Sequence, residues 1–254
     1  MSASTVDYAR INCNVKKMEP WGEYVPQAFK YSTGFINNGF WGCTYVNETT
    51  KEVIVCFKGT GSAKVDDTKL GAATSLNTVD YDDDRPNHAI IGDLTADLKL
   101  MVGVIPNQAS TAKQLFKRSM ETWDPGTYAY SITGHSLGGY LAQVVSYWFN
   151  YPCVTFNAPG AWGDLQKAKL NFFKPQVMWR SIKSTFQFDV IGVNFIHVGD
   201  IVGNFGIHRG RTFRVAGFSH MMKAICNTIE KHERWAKVSP FDTRKGVMGL
   251  WDRI

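Results

Sequence analysis

Tyr128-Ala129-Tyr130-Ser131-Ile132-Thr133-Gly134-His135-Ser136-Leu137-Gly138-Gly139, running on through an apolar stretch to Phe149, is the segment on which the reading of this chain turns. Tyr128 to Thr133 has the β-branched and aromatic character of a strand, and Leu137 to Phe149 reads as an apolar helix. Between them, Gly134-His135-Ser136-Leu137-Gly138 fits G-x-S-x-G. Such a turn must pass sharply from strand to helix and lift the Ser hydroxyl clear of the sheet. Residues without a Cβ are needed on both sides of it. The helix start beneath Ser136 offers free N–H groups and partial positive charge to a developing oxyanion, so the N–H of Leu137 is the expected first oxyanion donor.

Working outward, Cys43–Val46 and Val53–Phe57 form a pair of strands broken by the turn Asn47-Glu48-Thr49-Thr50. Helical spacing recurs at Ile91, Leu94, Leu98 and Met101 and over Ala109 to Thr122. Cys153–Phe156, Phe188–Val198 and Thr212–Val215 supply later strands, and His220 to Glu233 a closing helix. Residues 1–40 read as helical turns covering one side of the core. Strands alternating with helices imply an α/β fold, with a mostly parallel sheet and helices on both faces. No repeat, low-complexity tract or linker divides the chain, so 1–254 is expected to form one domain.

Composition sets the outer limits. Of 254 residues, 44 % are hydrophobic and 20 % charged, which excludes a disordered or collagen-like chain. The 28 Lys and Arg against 22 Asp and Glu leave +6, which suits an anionic membrane surface or a nucleic acid equally well. The basic residues are dispersed and no recognition motif appears, so nucleic acid is not an expected partner. Five scattered cysteines without a C-x-x-C pair argue against a disulfide framework or a zinc site. Met1 to Asn14 has no apolar run of signal-peptide length, and nowhere do about 18 apolar residues follow one another. The expectation is synthesis in the cytoplasm without a cleaved signal, with any export by a signal-independent route.

A Ser hydroxyl becomes a nucleophile only when a His takes its proton, and that His needs an acid to fix its tautomer. On this kind of fold the order is Ser, acid, His. Asp164, Asp189 and Asp200 precede a usable His, and Glu230 could serve only His232. Asp200 stands out because it follows the apolar strand Val193–Val198 through Gly199, at the carboxyl end where catalytic groups of open α/β sheets collect. His220, in the loop after Thr212–Val215, is the expected base, with His208 as the next candidate. His197 and His88 read as structural, and His135 as packing beneath the turn. The glycines of Lys58-Gly59-Thr60-Gly61 allow close backbone approach, making Thr60 the expected second oxyanion donor.

Five blocks then resemble the class 3 lipases in order: Phe57-Lys58-Gly59-Thr60; Ile91-Gly92-Asp93-Leu94 with Asp97-Leu98-Lys99; Gly134–Gly139; His197-Val198-Gly199-Asp200-Ile201-Val202; and Ser219-His220-Met221. They span about residues 53–225. The stretch Gly92–Leu98 through Pro106-Asn107-Gln108 is more similar to bacterial A-type phospholipases, some of which are exported without a cleaved signal as antibacterial effectors, that is, secreted toxins. The resemblance implies an α/β-hydrolase fold with a lid or insertion, expected over 61–90, and cleavage of an acyl ester of a glycerophospholipid. It implies Ser136 as nucleophile, Asp200 as acid, His220 as base, Thr60 as the hydroxyl-bearing oxyanion residue, and Asp93 as the group orienting that hydroxyl. Lys58 stands where the family usually has Arg.

No cofactor is expected: Asp80, Asp82, Asp83 and Asp84 are candidate oxygen ligands for calcium, but they do not match the EF-hand pattern and read first as a solvated acidic loop. Leu170–Phe188, with aromatics interleaved among cations, is a second lid candidate and suits an anionic lipid surface, a protein partner or plain core packing equally. The expected partners are therefore a lipid substrate at a membrane, to which the protein would be peripheral, and an immunity or secretion adaptor protein. A soluble-ester or thioester hydrolase with the same triad, and a non-catalytic binding module on the same fold, are the competing readings.

Overall fold

The computed structural model of the chain describes residues 2–31, 40–59, 108–161, 192–232 and 237–241. Along the chain these form α1 (Thr5–Asn14), β1 (Val25–Tyr31), β2 (Trp41–Asn47), β3 (Glu52–Phe57) and α2 (108–122). There follow β4 (Ala129–His135), α3 (Leu137–Phe149), β5 (Cys153–Phe156), β6 (Gly192–His197), β7 (Arg211–Val215) and α4 (Met222–Lys231). The seven strands make one sheet in sequential order, antiparallel from β1 to β3 and parallel from β3 to β7. This is an α/β architecture with a mostly parallel sheet and helices on both faces. The expected lid segment 61–90, the helical spacing at 91–101 and the aromatic-cationic stretch 170–188 lie outside the described residues.

β3 shows why the sheet must be covered twice. All six of its residues are buried. Val53, Val55 and Phe57 face a core with Ala112, Leu115 and Phe116 of α2 and Leu137, Leu141, Val144 and Val145 of α3. Ile54 and Cys56 face the other way, into a core with Tyr8, Ala9 and Ile11 of α1 and Ile225, Cys226 and Ile229 of α4. Alternating side chains of a strand lie on opposite faces, so a strand buried along its whole length needs cover on both. Phe156, Phe195 and Phe213 form a ladder across β5, β6 and β7, with centroids 5.8 and 5.4 Å apart.

The ends of the helices follow from local chemistry. Ser4 caps α1, with Asp7 N–H donating to its Oγ while the Asp7 carboxylate accepts the Ser4 N–H, a reciprocal cap. α3 ends at Asn150, whose left-handed backbone lets its N–H reach the Ser146 carbonyl at 2.8 Å. Arg10 of α1 and Glu230 of α4 are paired, tying together the two helices of one face.

Two sequence expectations fail. Within 1–40, residues Val25–Tyr31 form an edge strand paired antiparallel with β2. Pro26 hides it from a reading by pattern, because proline interrupts strands in general yet is accepted on an edge or at a bulge. The register shifts between Pro26 and Ala28, where that accommodation occurs. The closing helix is also shorter than expected, beginning at Met222 and leaving His220 in the preceding loop.

Phe116 is fully buried and touches Tyr130, Phe149 and Tyr151, with ring centroids 4.9–5.8 Å apart. Phe116→Ala should destabilise the fold by about 3–5 kcal/mol in urea unfolding. A loss below about 1 kcal/mol would mean that this aromatic cluster does not anchor α2 to the sheet.

Candidate active site

Ser136 occupies the corner between β4 and α3 with φ 55° and ψ −127°, a backbone conformation rare for a residue with a side chain. The surrounding glycines permit it. A Cβ on Gly138 would lie 2.0 Å from the Phe57 carbonyl oxygen, and one on Gly134 would lie 2.2 Å from that of Gly138. One on Gly139 would lie 2.4 Å from the Ala158 methyl. The corner is thus wedged against the carboxyl end of β3, and the G-x-S-x-G-G spacing records where backbone meets backbone.

The Ser136 hydroxyl lies 2.9 Å from His220 Nε2, and His220 Nδ1 lies 3.0 Å from both carboxylate oxygens of Asp200. A carboxylate only accepts, so Nδ1 carries the proton and Nε2 is left to accept from the hydroxyl. Asp200 is buried, and its two oxygens also accept the backbone N–H groups of Val202 and Gly203 at 3.1 Å. The structure therefore brings Ser136, Asp200 and His220 into one chain of hydrogen bonds, from the ends of three different strands.

The other candidates have different surroundings. His208 Nε2 donates to the Ala158 carbonyl at 2.8 Å, and burial lowers its basicity. His232 caps the end of α4. His197 donates from Nδ1 to the Ser219 carbonyl at 2.6 Å, and its Nε2 lies 3.1 Å from the Thr228 hydroxyl. His135 lies half-buried against the His220 ring, with centroids 4.9 Å apart. Burial, and next the neighbouring His220, depress its pKa to about 3. It stays neutral and donates from Nε2 to the His220 carbonyl at 2.7 Å.

On the oxyanion side, Leu137 opens α3, where the first N–H groups have no intrahelical acceptor. Gly59 runs directly beside the nucleophile, since a Cβ there would lie 3.0 Å from Ser136 Cβ. Lys58, just before it, is buried enough that its pKa falls to about 8, with Lys16 adding to the effect. Thr60, Asp93, Asp164 and Asp189 lie outside the described residues, as do Asp80, Asp82, Asp83 and Asp84. Among the described residues, no cluster of three His, Cys, Asp or Glu side chains could hold a metal ion.

Sequence reasoning missed Asn157, which is wholly buried, has φ 42° and immediately follows β5. Its position at the carboxyl end of a parallel strand was the available signal.

No family model matches this chain. Over 46 residues, 18 % of this chain and 8 % of the other, it is 44 % identical to a Debaryomyces hansenii protein named "Putative lipase ATG15". Among solved structures it is similar to a triacylglycerol lipase from Penicillium expansum at 16 % identity and TM-score 0.45, covering 85 % of this chain and 81 % of that one. It is also similar to the Lip2 lipase of Yarrowia lipolytica at 15 % identity and TM-score 0.46, covering 83 % and 77 %. The Rhizomucor miehei lipase in its propeptide complex aligns at 13 % identity and TM-score 0.45, covering 84 % and 66 %.

Gly138→Ala tests the wedge. The added methyl has only backbone to meet, so the corner must open and covalent modification of Ser136 by a fluorophosphonate should slow by at least about 100-fold. Labelling at the parental rate would show that close approach of the corner to β3 is not required.

Proposed function

We propose that this protein is a serine hydrolase that cleaves a carboxylic ester of a lipid, in particular an acyl ester of a glycerophospholipid. The observation that carries the reading is the hydrogen-bonded line from Ser136 Oγ through His220 to buried Asp200. In this reading His220 takes the hydroxyl proton as Ser136 attacks the acyl carbonyl, and Asp200 stabilises the imidazolium that forms. The N–H groups of Leu137 and Thr60 receive the oxyanion, with Asp93 orienting the Thr60 hydroxyl. His220 then protonates the departing alcohol, and water attacks the acyl-enzyme by the same route in reverse. Nucleophile, base and acid all belong to the chain, so these steps call for no cofactor.

A second observation favours lipid over a soluble ester. Val198, Ile201, Phe205, Ile207 and Phe218 are large apolar side chains exposed from 48 % at Val198 to 80 % at Phe218. All five lie on the two connections that carry Asp200 and His220. An apolar rim beside a reactive group suits an interface where one side is hydrocarbon. The net charge of +6 favours anionic phospholipid. Export as an antibacterial effector with an immunity or adaptor partner rests on the sequence resemblance alone and forms the outer part of the proposal.

The test is acyl release from phosphatidylethanolamine–phosphatidylglycerol vesicles, with and without a calcium chelator, alongside hydrolysis of a soluble short-chain ester. Ser136→Ala should lower both rates by at least about 1,000-fold while leaving the fold intact. Parental rates in that variant would overturn the mechanism. Phe218→Asp should lower the ratio of vesicle to soluble rate by about tenfold or more, as expected for losing one buried aromatic from the interface. An unchanged ratio would favour the soluble-ester enzyme. Loss of vesicle activity with chelator would assign a role to the Asp80–Asp84 segment.

A further inference from the structure

His220 stands on no regular element, since β7 ends at Val215 and α4 begins at Met222. Its position must come from what holds the loop. The Ser219 carbonyl accepts from His197 Nδ1 at 2.6 Å and from Asn157 Nδ2 at 3.0 Å. The next carbonyl, that of His220 itself, accepts from His135 Nε2 at 2.7 Å and from Asn157 Nδ2 at 3.2 Å. Asn157 is the only one of these three donors that reaches both carbonyls.

Its other end is equally committed. Asn157 Oδ1 accepts the backbone N–H of His197 at 2.9 Å, where β6 ends three residues before Asp200. The orientation of the carboxamide is forced, because only the oxygen can face an N–H and only the NH2, with two protons, can face two carbonyls. One buried side chain thereby ties the strand end that delivers the acid to the loop that delivers the base. Its left-handed φ of 42° suits asparagine, which tolerates that region better than most residues.

We infer that Asn157 is a positioning residue for the hydrolysis: through its carboxamide it sets the placement of His220 relative to Asp200 and Ser136. It is wholly buried and its carboxamide bonds to backbone groups, not to Ser136 Oγ, the His220 ring or the Asp200 carboxylate. The inference rests on the reading of Ser136, Asp200 and His220 as a catalytic triad. A residue that only stabilised the fold would, when changed, lower the melting temperature and leave turnover per folded molecule untouched. A positioning residue lowers kcat with KM preserved, because misplacing a catalytic group by a fraction of an ångström to an ångström acts on the transition state.

Asn157→Asp keeps the size and the oxygen facing His197 but removes both donated protons. With a soluble short-chain nitrophenyl ester, kcat per folded molecule should fall about 10- to 100-fold, with KM within about twofold of the parent. The folded fraction is read from near-ultraviolet circular dichroism. If the carboxylate prevents folding, Asn157→Gly decides the matter, since glycine accepts the backbone conformation and removes the carboxamide outright. The same drop in kcat is expected there. A kcat within about twofold of the parent, or a change confined to KM or melting temperature, would overturn the inference. Ser136→Ala run in parallel separates the two claims. If it retains activity, the triad reading itself fails; if it is inactive while the Asn157 variants match the parent, only the positioning role fails.

Discussion

The nucleophile and the oxyanion side of the candidate site depend on how closely the backbone of the β4–α3 corner approaches the end of β3. A methyl on Gly138 would sit 2.0 Å from the Phe57 carbonyl oxygen, a separation no packed side chain survives. That approach forces Ser136 into its unusual backbone conformation, turns its hydroxyl out of the sheet and leaves the first N–H groups of α3 beside it. It also brings Gly59, the last described residue of the β3 exit, against the nucleophile.

The acid and base are placed by a different device. Parallel strands present their carboxyl ends together, so residues just past β4, β5 and β6 converge although they are far apart in sequence. His135, Asn157 and His197 stand at those three ends, and all three donate to the two carbonyls flanking the His220 position. A loop without secondary structure acquires in this way the rigidity that catalysis by a single imidazole demands. Keeping His135 neutral matters here, because a second cation 4.9 Å from the His220 ring would oppose its protonation.

Much of this was legible in the sequence. Leu137–Phe149 and Cys153–Phe156 match the expected helix and strand in full, because a long apolar helix and a β-branched buried strand carry strong local signals. Of the three residues selected from motif and chain order, His220 lies within hydrogen-bonding distance of both Ser136 and Asp200. The edge strand β1 escaped because Pro26 masks it and its alternation is weak. Asn157 escaped for a more general reason: its partners are backbone carbonyls about sixty residues away, and a carbonyl leaves no mark on the sequence that it recruits.

In the proposed hydrolysis Ser136 carries the substrate's acyl group between attack and release. The most direct measurement is rapid acid quenching of the protein during turnover of an ester substrate, followed by mass spectrometry of its peptides. The predicted result is the substrate's acyl group on the peptide containing Ser136, rising before steady state and absent from Ser136→Ala. Turnover with the acyl group on another residue, or persisting at the parental rate when Ser136 is replaced, would contradict it.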